Sequence, residues 1–288
     1  MTSRHSGGEA RPARGTRLLR VGCAFTYRAE VPAPAVFMVR PDRHDQVRVS
    51  GENLFTEPDV PVRYHFDVYG NWLARLVLPP GLSTVNYAAW ADVPDRAEDV
   101  DEAAPERWPD DLPGDVLLYT LPSRYCASDV LGDEAWSRFG AHPPGYRRVQ
   151  AICRHVHESL EFGRATSTAL PTAADVDASG AKAGRDFTHL AISFCRALTI
   201  PARYVFGYLP DLDVPPDGAP MEFAAWMEVW LGDRWWTFDP RSGVPRKGRV
   251  VVGRGRDAAD VAMVTTFGGP VLESMVVHAE EDMAPAWR

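Results

Sequence analysis

Short apolar or alternating runs dominate the first third of the chain: Cys23 to Tyr27, Ala35 to Val39, Val62 to Tyr69 and Ala74 to Leu78, each ended by a turn containing Pro, Gly or Asn. A period of two sends side chains to opposite faces, so residues 17–93 are expected to form antiparallel strands of a small sheet or sandwich. Residues 94–116 are rich in Asp, Glu, Ala and Pro without apolar periodicity and suit a linker. Beyond them the period changes. Glu134 to Phe139 gives a short helical piece, and Tyr146 to Phe162 places Val149, Ile152, Cys153, Val156 and Leu160 on one helical stripe. A further helix is expected from near Arg185 to Thr199, where Ile200-Pro201 stops it. Strands follow at Ala202 to Leu209, Ala224 to Leu231 and Arg234 to Phe238, the last two joined across a Gly232-Asp233 turn. A helix packed on an antiparallel sheet is an α+β arrangement. The expected organisation is a disordered leader at 1–16, a β-rich N-terminal domain at 17–93, a linker at 94–116 and a core at 117–288, with no internal repeat.

Composition narrows the function. The 288 residues carry a formal charge of −8, with 45% hydrophobic and 24% charged residues, as in an ordinary globular protein. A negative balance argues against a nucleic-acid partner, because phosphate neutralisation needs clustered Lys and Arg. No apolar run approaches the roughly 20 residues that cross a bilayer, and Met1 to Arg14 is polar and Arg-rich without a signal-peptide core. A cytoplasmic protein with no membrane partner is expected. The four cysteines, Cys23, Cys126, Cys153 and Cys195, never form a Cys-x-x-Cys pair, so no metal or redox motif is present in the sequence and the thiols are expected to be free and buried. The only lysines are Lys182 and Lys247.

Four stretches carry a resemblance: Leu-Pro-Ser-Arg-Tyr-Cys at Leu121 to Cys126, Arg-Asp-Phe-Thr-His-Leu at Arg185 to Leu190, Cys-Arg-Ala-Leu-Thr-Ile-Pro-Ala-Arg-Tyr-Val at Cys195 to Val205, and Gly-Arg-Asp-Ala-Ala-Asp-Val at Gly255 to Val261. In this order and spacing they resemble the bacterial transglutaminase-like family, whose fold is shared with papain-type cysteine proteases. The resemblance implies a β-rich leading domain followed by a transglutaminase-like core, with a central helix packed on an antiparallel sheet.

Such families use a thiol at a helix N-terminus, an imidazole that acts as base and then acid, and a carboxylate that fixes the imidazole tautomer. The resemblance puts Gly184 at the thiol position, Ala224 at the imidazole position, and Asp239, in Trp-Trp-Thr-Phe-Asp-Pro, at the carboxylate position. Glycine and alanine have no group to attack an acyl carbon or move a proton. Cys195 lies about three helical turns beyond Gly184, roughly 16 Å along the axis, too far to substitute.

What remains is a set of candidates with competing roles. Asp239 is either a cleft carboxylate without its imidazole, able to titrate or hold a cation, or an Asp-Pro turn that closes a strand. Lys182 is expected to hold a substrate carboxylate or act as an amine, against a solvated loop charge. His189 is a candidate base, against a buried hydrogen-bonded histidine. Arg185, Trp226, Tyr204 and Tyr208 are the substrate-binding candidates, the tyrosines being equally at home in a core. Strand alternation puts Glu228 roughly 13 Å from Ala224, so it is read as structural, paired with Arg or Trp donors. Arg256, Asp257 and Asp260 are read as an internal ion-pair network instead of a metal site.

Three functions fit these residues. The first is a repurposed, cofactor-independent acid–base enzyme of cyclisation, dehydration or lyase type, acting on a small molecule or modified peptide through Asp239, Lys182 and His189. The second is a pseudoenzyme that binds a peptide or a protein partner. The third is an inactivated variant of a thiol amidase or acyltransferase.

Overall fold

The computed structural model describes residues 15–43, 47–161, 184–215, 218 and 220–282. Two four-stranded antiparallel sheets make a leading sandwich. One has the order β12-β1-β6-β3, from β1 (Thr16–Ala29), β3 (Arg48–Glu57), β6 (Gly81–Pro94) and β12 (Val271–Glu281). The other has the order β11-β2-β5-β4, from β2 (Ala33–Phe37), β4 (Arg63–Phe66), β5 (Trp72–Leu78) and β11 (Val264–Thr266). Alternation decides the inner face. Leu19, Val21, Cys23, Phe25, Tyr27 and Ala29 of β1 are buried, as are Val85, Tyr87, Ala89, Ala91 and Val93 of β6 and Ala74, Leu76 and Leu78 of β5. Across the gap Phe37 meets Phe25 and Tyr27 edge-on, with ring centroids 5.7 and 6.2 Å apart, a favoured aromatic geometry.

Strands β11 and β12 come from the far end of the chain, so the expected 117–288 core gives its last two strands to the leading sheets. Burial of Val277 and Ala279 beside β1 accounts for the return. β3 was not among the apolar runs because it is a polar edge strand with Thr56 its one buried residue.

The core follows the sequence periodicity closely. The one-turn α1 (Gly114–Leu117), α2 (Gly132–Phe139), α3 (Tyr146–Glu161) and α4 (Gly184–Ala197) precede a sheet of order β10-β7-β8-β9, formed by β7 (Ala202–Tyr208), β8 (Ala224–Leu231), β9 (Arg234–Phe238) and β10 (Val250–Gly255); α4 packs on β7 and β8, and α2 and α3 pack against α4. Tyr204 of β7 stacks on His189 of α4 and pairs in register with Met227 of β8, so this face of the sheet looks toward α4. Neighbouring residues Val205 and Trp226 point the other way, into a small separate cluster with Ala224 and Val251. The 94–116 segment is tied down along its length: the Ala104 and Pro105 carbonyls accept the N–H groups of Tyr146 and Gly232, and Glu106 pairs with Arg148 at 2.9 Å.

β10 joins the two units. The Asn71 side chain bonds the Arg254 backbone in both directions, at 2.8 Å each, and the Tyr208 hydroxyl donates to the Val39 carbonyl at 2.9 Å. Glycine is required where β10 approaches β7, because a Cβ on Gly207 would lie 2.1 Å from the Val250 oxygen. Gly207→Ala is therefore expected to lower stability by about 1–3 kcal/mol in urea titrations. Gly132→Ala, whose Cβ meets nothing within 4 Å, is the control expected to lose none.

Candidate functional site

Three elements, α3, the first turn of α4 and the turn after β9, meet near Gly184 and Asp239, whereas Ala224 of β8 lies in the separate cluster with Val205, Trp226 and Val251. α4 begins at Gly184, carries Asp186 in its first turn where the helix dipole favours an anion, and buries most of its length, from Thr188 to Arg196. α3 runs alongside and presents His157, whose ring lies 6.5 Å from that of Phe187 in the first turn of α4. The turn after β9 completes the group: Gly243 has φ 62°, and a Cβ there would come within 2.9 Å of His157 Nε2. His157 was not singled out in the sequence. It falls just off the apolar stripe of α3, and only the partner elements reveal its position.

Asp239 leaves β9 beside Trp226, one step beyond the Met227–Phe238 pair. It is not an isolated carboxylate. Its Oδ1 accepts the N–H groups of Arg241 and Ser242 at 3.0 Å each, forming the strand-closing turn, and its Oδ2 accepts from Arg249 Nη2 at 2.7 Å. The Arg249 and Asp239 side chains are only 8% and 9% exposed. Arg249 Nε bonds Glu98, from the linker segment, and the guanidinium lies 4.9 Å from the centre of the Trp226 ring. Arg249 Nη1 is buried without a hydrogen-bond partner. Both expected roles describe part of it: one oxygen closes the strand turn, and the other holds a cation, which here is a buried arginine of the chain itself. Arg249 lies outside every motif, so no local signal pointed to it.

The remaining candidates are packed. His189 is buried between Tyr125 and Tyr204, with centroids at 5.3 and 5.0 Å, and its Nε2 accepts the Ala258 N–H at 3.1 Å. An accepting Nε2 carries no proton of its own, so this nitrogen is committed to the backbone. Tyr204, Tyr208 and Trp226 are buried and show almost no surface to a ligand. Lys182 and the side chain of Arg185 lie outside the described residues. Glu228 is bonded to Arg203 at 2.7 Å and Arg254 at 3.0 Å. Burial works to raise its pKa, but Arg254 and Arg203 outweigh it and hold the carboxyl below its ordinary range. Arg256 pairs with Asp260, which also accepts from the Tyr69 hydroxyl at 2.7 Å, while buried Asp257 accepts the N–H groups of Tyr125 and Ala259. Among the described residues no cluster of His, Cys, Asp and Glu suits a metal ion.

Comparison with known proteins decides the ancestry. Residues 136–240, from α2 through α4 to the Asp239 turn, match the transglutaminase-like superfamily. Over 95% of this chain and 94% of the other, the structure is similar at TM-score 0.76 and 30% identity to a crystal structure described as "a Putative Cysteine Protease from Cytophaga hutchinsonii". The chain belongs to the transglutaminase-like superfamily. It is also 32% identical over 142 residues to an uncharacterized Mycobacterium leprae protein, covering 42% of this chain and 50% of that one. An uncharacterized Mycobacterium tuberculosis protein is 28% identical over 219 residues, 72% of this chain and 66% of its own. The chain thus spans half to two thirds of the length of these curated relatives. No helix among the described residues is long and apolar enough to cross a membrane.

Within this transglutaminase-like fold the cysteines are poor nucleophiles. Burial pushes the Cys23 and Cys126 thiols up to about 12, and raises those of Cys153 and Cys195 as well. At pH 8 a thiol titrating at about 12 is thiolate about once in 10⁴ molecules. The native protein is therefore expected to leave its four thiols unlabelled by Ellman's reagent at pH 8 and to release all of them in urea; a fast-reacting thiol in the native state would contradict this. A thiol pKa that is higher in the folded protein stabilises it fully below the unfolded value of 9.0 and progressively less as pH rises toward about 12. Stability should accordingly fall above about pH 9.

Proposed function

We propose that this chain is a transglutaminase-like protein that has given up thiol acyl transfer and uses the inherited groove to bind a peptide or small molecule without turning it over. The observation that carries this reading is the Arg249–Asp239 pair at 2.7 Å, stacked on Trp226. With Gly184 and Ala224 read as the vacated thiol and imidazole positions, the third member of the constellation has a permanent cation where a proton-carrying imidazole would be needed. A guanidinium has donors and no acceptor nitrogen, so it pairs the carboxylate without relaying a proton.

The acid–base reading asks Asp239, His189 and Lys182 to move protons. Asp239 is spent on Arg249 and a turn, and His189 Nε2 on the Ala258 N–H. Binding needs neither. The surface assigned to it by this reading is the one where the first turn of α4, His157 and the Gly243 turn meet. An inactivated variant of a thiol amidase or acyltransferase would leave the same two small residues, but the Arg249 pairing gives the site a settled use of its carboxylate and favours a resident binding role.

Fluorescence polarisation with a labelled random octapeptide library tests the proposal alongside product analysis by liquid chromatography. Retention of a peptide subset by the wild type, its loss in a folded Gly184→Trp variant, and no cleavage or transfer product are the expected results. Turnover of the library that Asp239→Asn abolishes while the fold is retained would overturn the reading in favour of acid–base catalysis.

A further inference from the structure

The leading sandwich contains a cavity of about 280 Å³, lined by its own strands and by none of the triad residues. It opens between β3 and β6 on one side and β2, β4 and β5 on the other, with Phe37, Arg40, Glu52, Tyr64, Trp72 and Tyr87 among its walls. The cavity is partly open to solvent and is walled by three aromatic types and an ion pair, the combination of apolar surface and a few polar groups that small-molecule sites use.

Its polar groups are arranged around one carboxylate. Glu52 Oε1 accepts Arg40 Nε at 2.6 Å and the Tyr87 hydroxyl at 3.0 Å, while Oε2 accepts Arg40 Nη2 at 2.8 Å and also Arg43. Burial would raise the Glu52 pKa, but these donors from Arg40, Arg43 and Tyr87 reverse the effect and bring it to about 2. The carboxylate is thus an anion that holds Arg40 over the Trp72 ring, 4.4 Å from its centre. Tyr64 and Phe66 pack against the same indole at 5.9 and 4.4 Å, and both remain about half exposed at the β4 edge. Two guanidinium groups against one carboxylate leave one positive charge in excess at this site.

We propose that this cavity is a binding site for a small aromatic monoanion, a flat one- or two-ring carboxylate whose ring lies against Trp72 and Tyr64 and whose charge is balanced by Arg40 and Arg43. Its volume of about 280 Å³ lies just below the roughly 300–1,000 Å³ of drug-sized ligand sites, so it suits one or two rings and excludes a folded peptide. The excess of a single positive charge selects a monoanion over a neutral ring. The site shares no lining residue with the surface beside α4, so it neither requires nor supports the binding function proposed there.

Isothermal titration of the full chain with indole-3-acetate and with indole-3-acetamide is the test. Saturable binding of the acid, about tenfold tighter than the amide, is expected. Ala74→Met, which fills the cavity with an apolar side chain, should weaken the acid about tenfold or more, and Trp72→Leu should do the same. Arg43→Gln, at an exposed rim position, should weaken it about threefold. Thermal melts identify the folded variants, and either Ala74→Met or Trp72→Leu suffices. No saturable binding to the wild type, equal binding of acid and amide, or undiminished binding in a folded cavity variant would overturn the proposal.

Discussion

A buried arginine that must satisfy two carboxylates holds the candidate site in its present form. Arg249 brings a full charge into a region where its side chain is 8% exposed, and a charge withdrawn from water is tolerated only when it is paired. Glu98 and Asp239 supply the pairing and Trp226 the aromatic surface, so three distant parts of the chain are fixed to one guanidinium. Removing the cation would strand two carboxylates, an outcome that generally costs about 3–5 kcal/mol for a buried pair. Asp239, which the family resemblance puts at a triad carboxylate position, is part of this support.

The surrounding fold explains how the pair is delivered. β8 and β9 place Trp226 beside Asp239 in register, the linker segment carries Glu98 across, and the chain entering β10 brings Arg249. β10 is also the strand that docks the core on the leading sandwich through Asn71 and Asp42. The site and the inter-unit contact are therefore built from adjacent residues of one segment. On the other face of the same sheet, His189 is locked between two tyrosines, which keeps α4 seated on β7.

Much of this was legible in the sequence where a local period or motif existed. The sequence located β7, β8, β9, α3 and α4 almost to the residue: the helices by an apolar stripe, and the nearly fully buried β7 and β8 as apolar runs bounded by turn residues. The named runs located β1, β2, β4 and β5, but β6, although it alternates, was not among them, β3 was hidden by its polar edge position, and β12 by its distance from β1, a partner 264 positions away at the Arg17–Glu281 contact. The superfamily followed from four short stretches spread over the core. Two site features escaped because nothing local marks them: Arg249 is one arginine among many, and His157 gains its position only when α3, α4 and the Gly243 turn come together. The Asp239 carboxylate looked available because its partner is remote in kind, though only ten residues away.

The most direct measurement is a double-mutant cycle on stability, with Arg249→Met, Asp239→Asn and both together in urea unfolding. If Asp239 is committed to Arg249, both single variants lose stability and the double variant loses less than their sum, with a coupling of about 1.5–3 kcal/mol. Strictly additive effects, with Asp239→Asn costing less than about 0.5 kcal/mol, would show a carboxylate independent of the arginine and contradict the account.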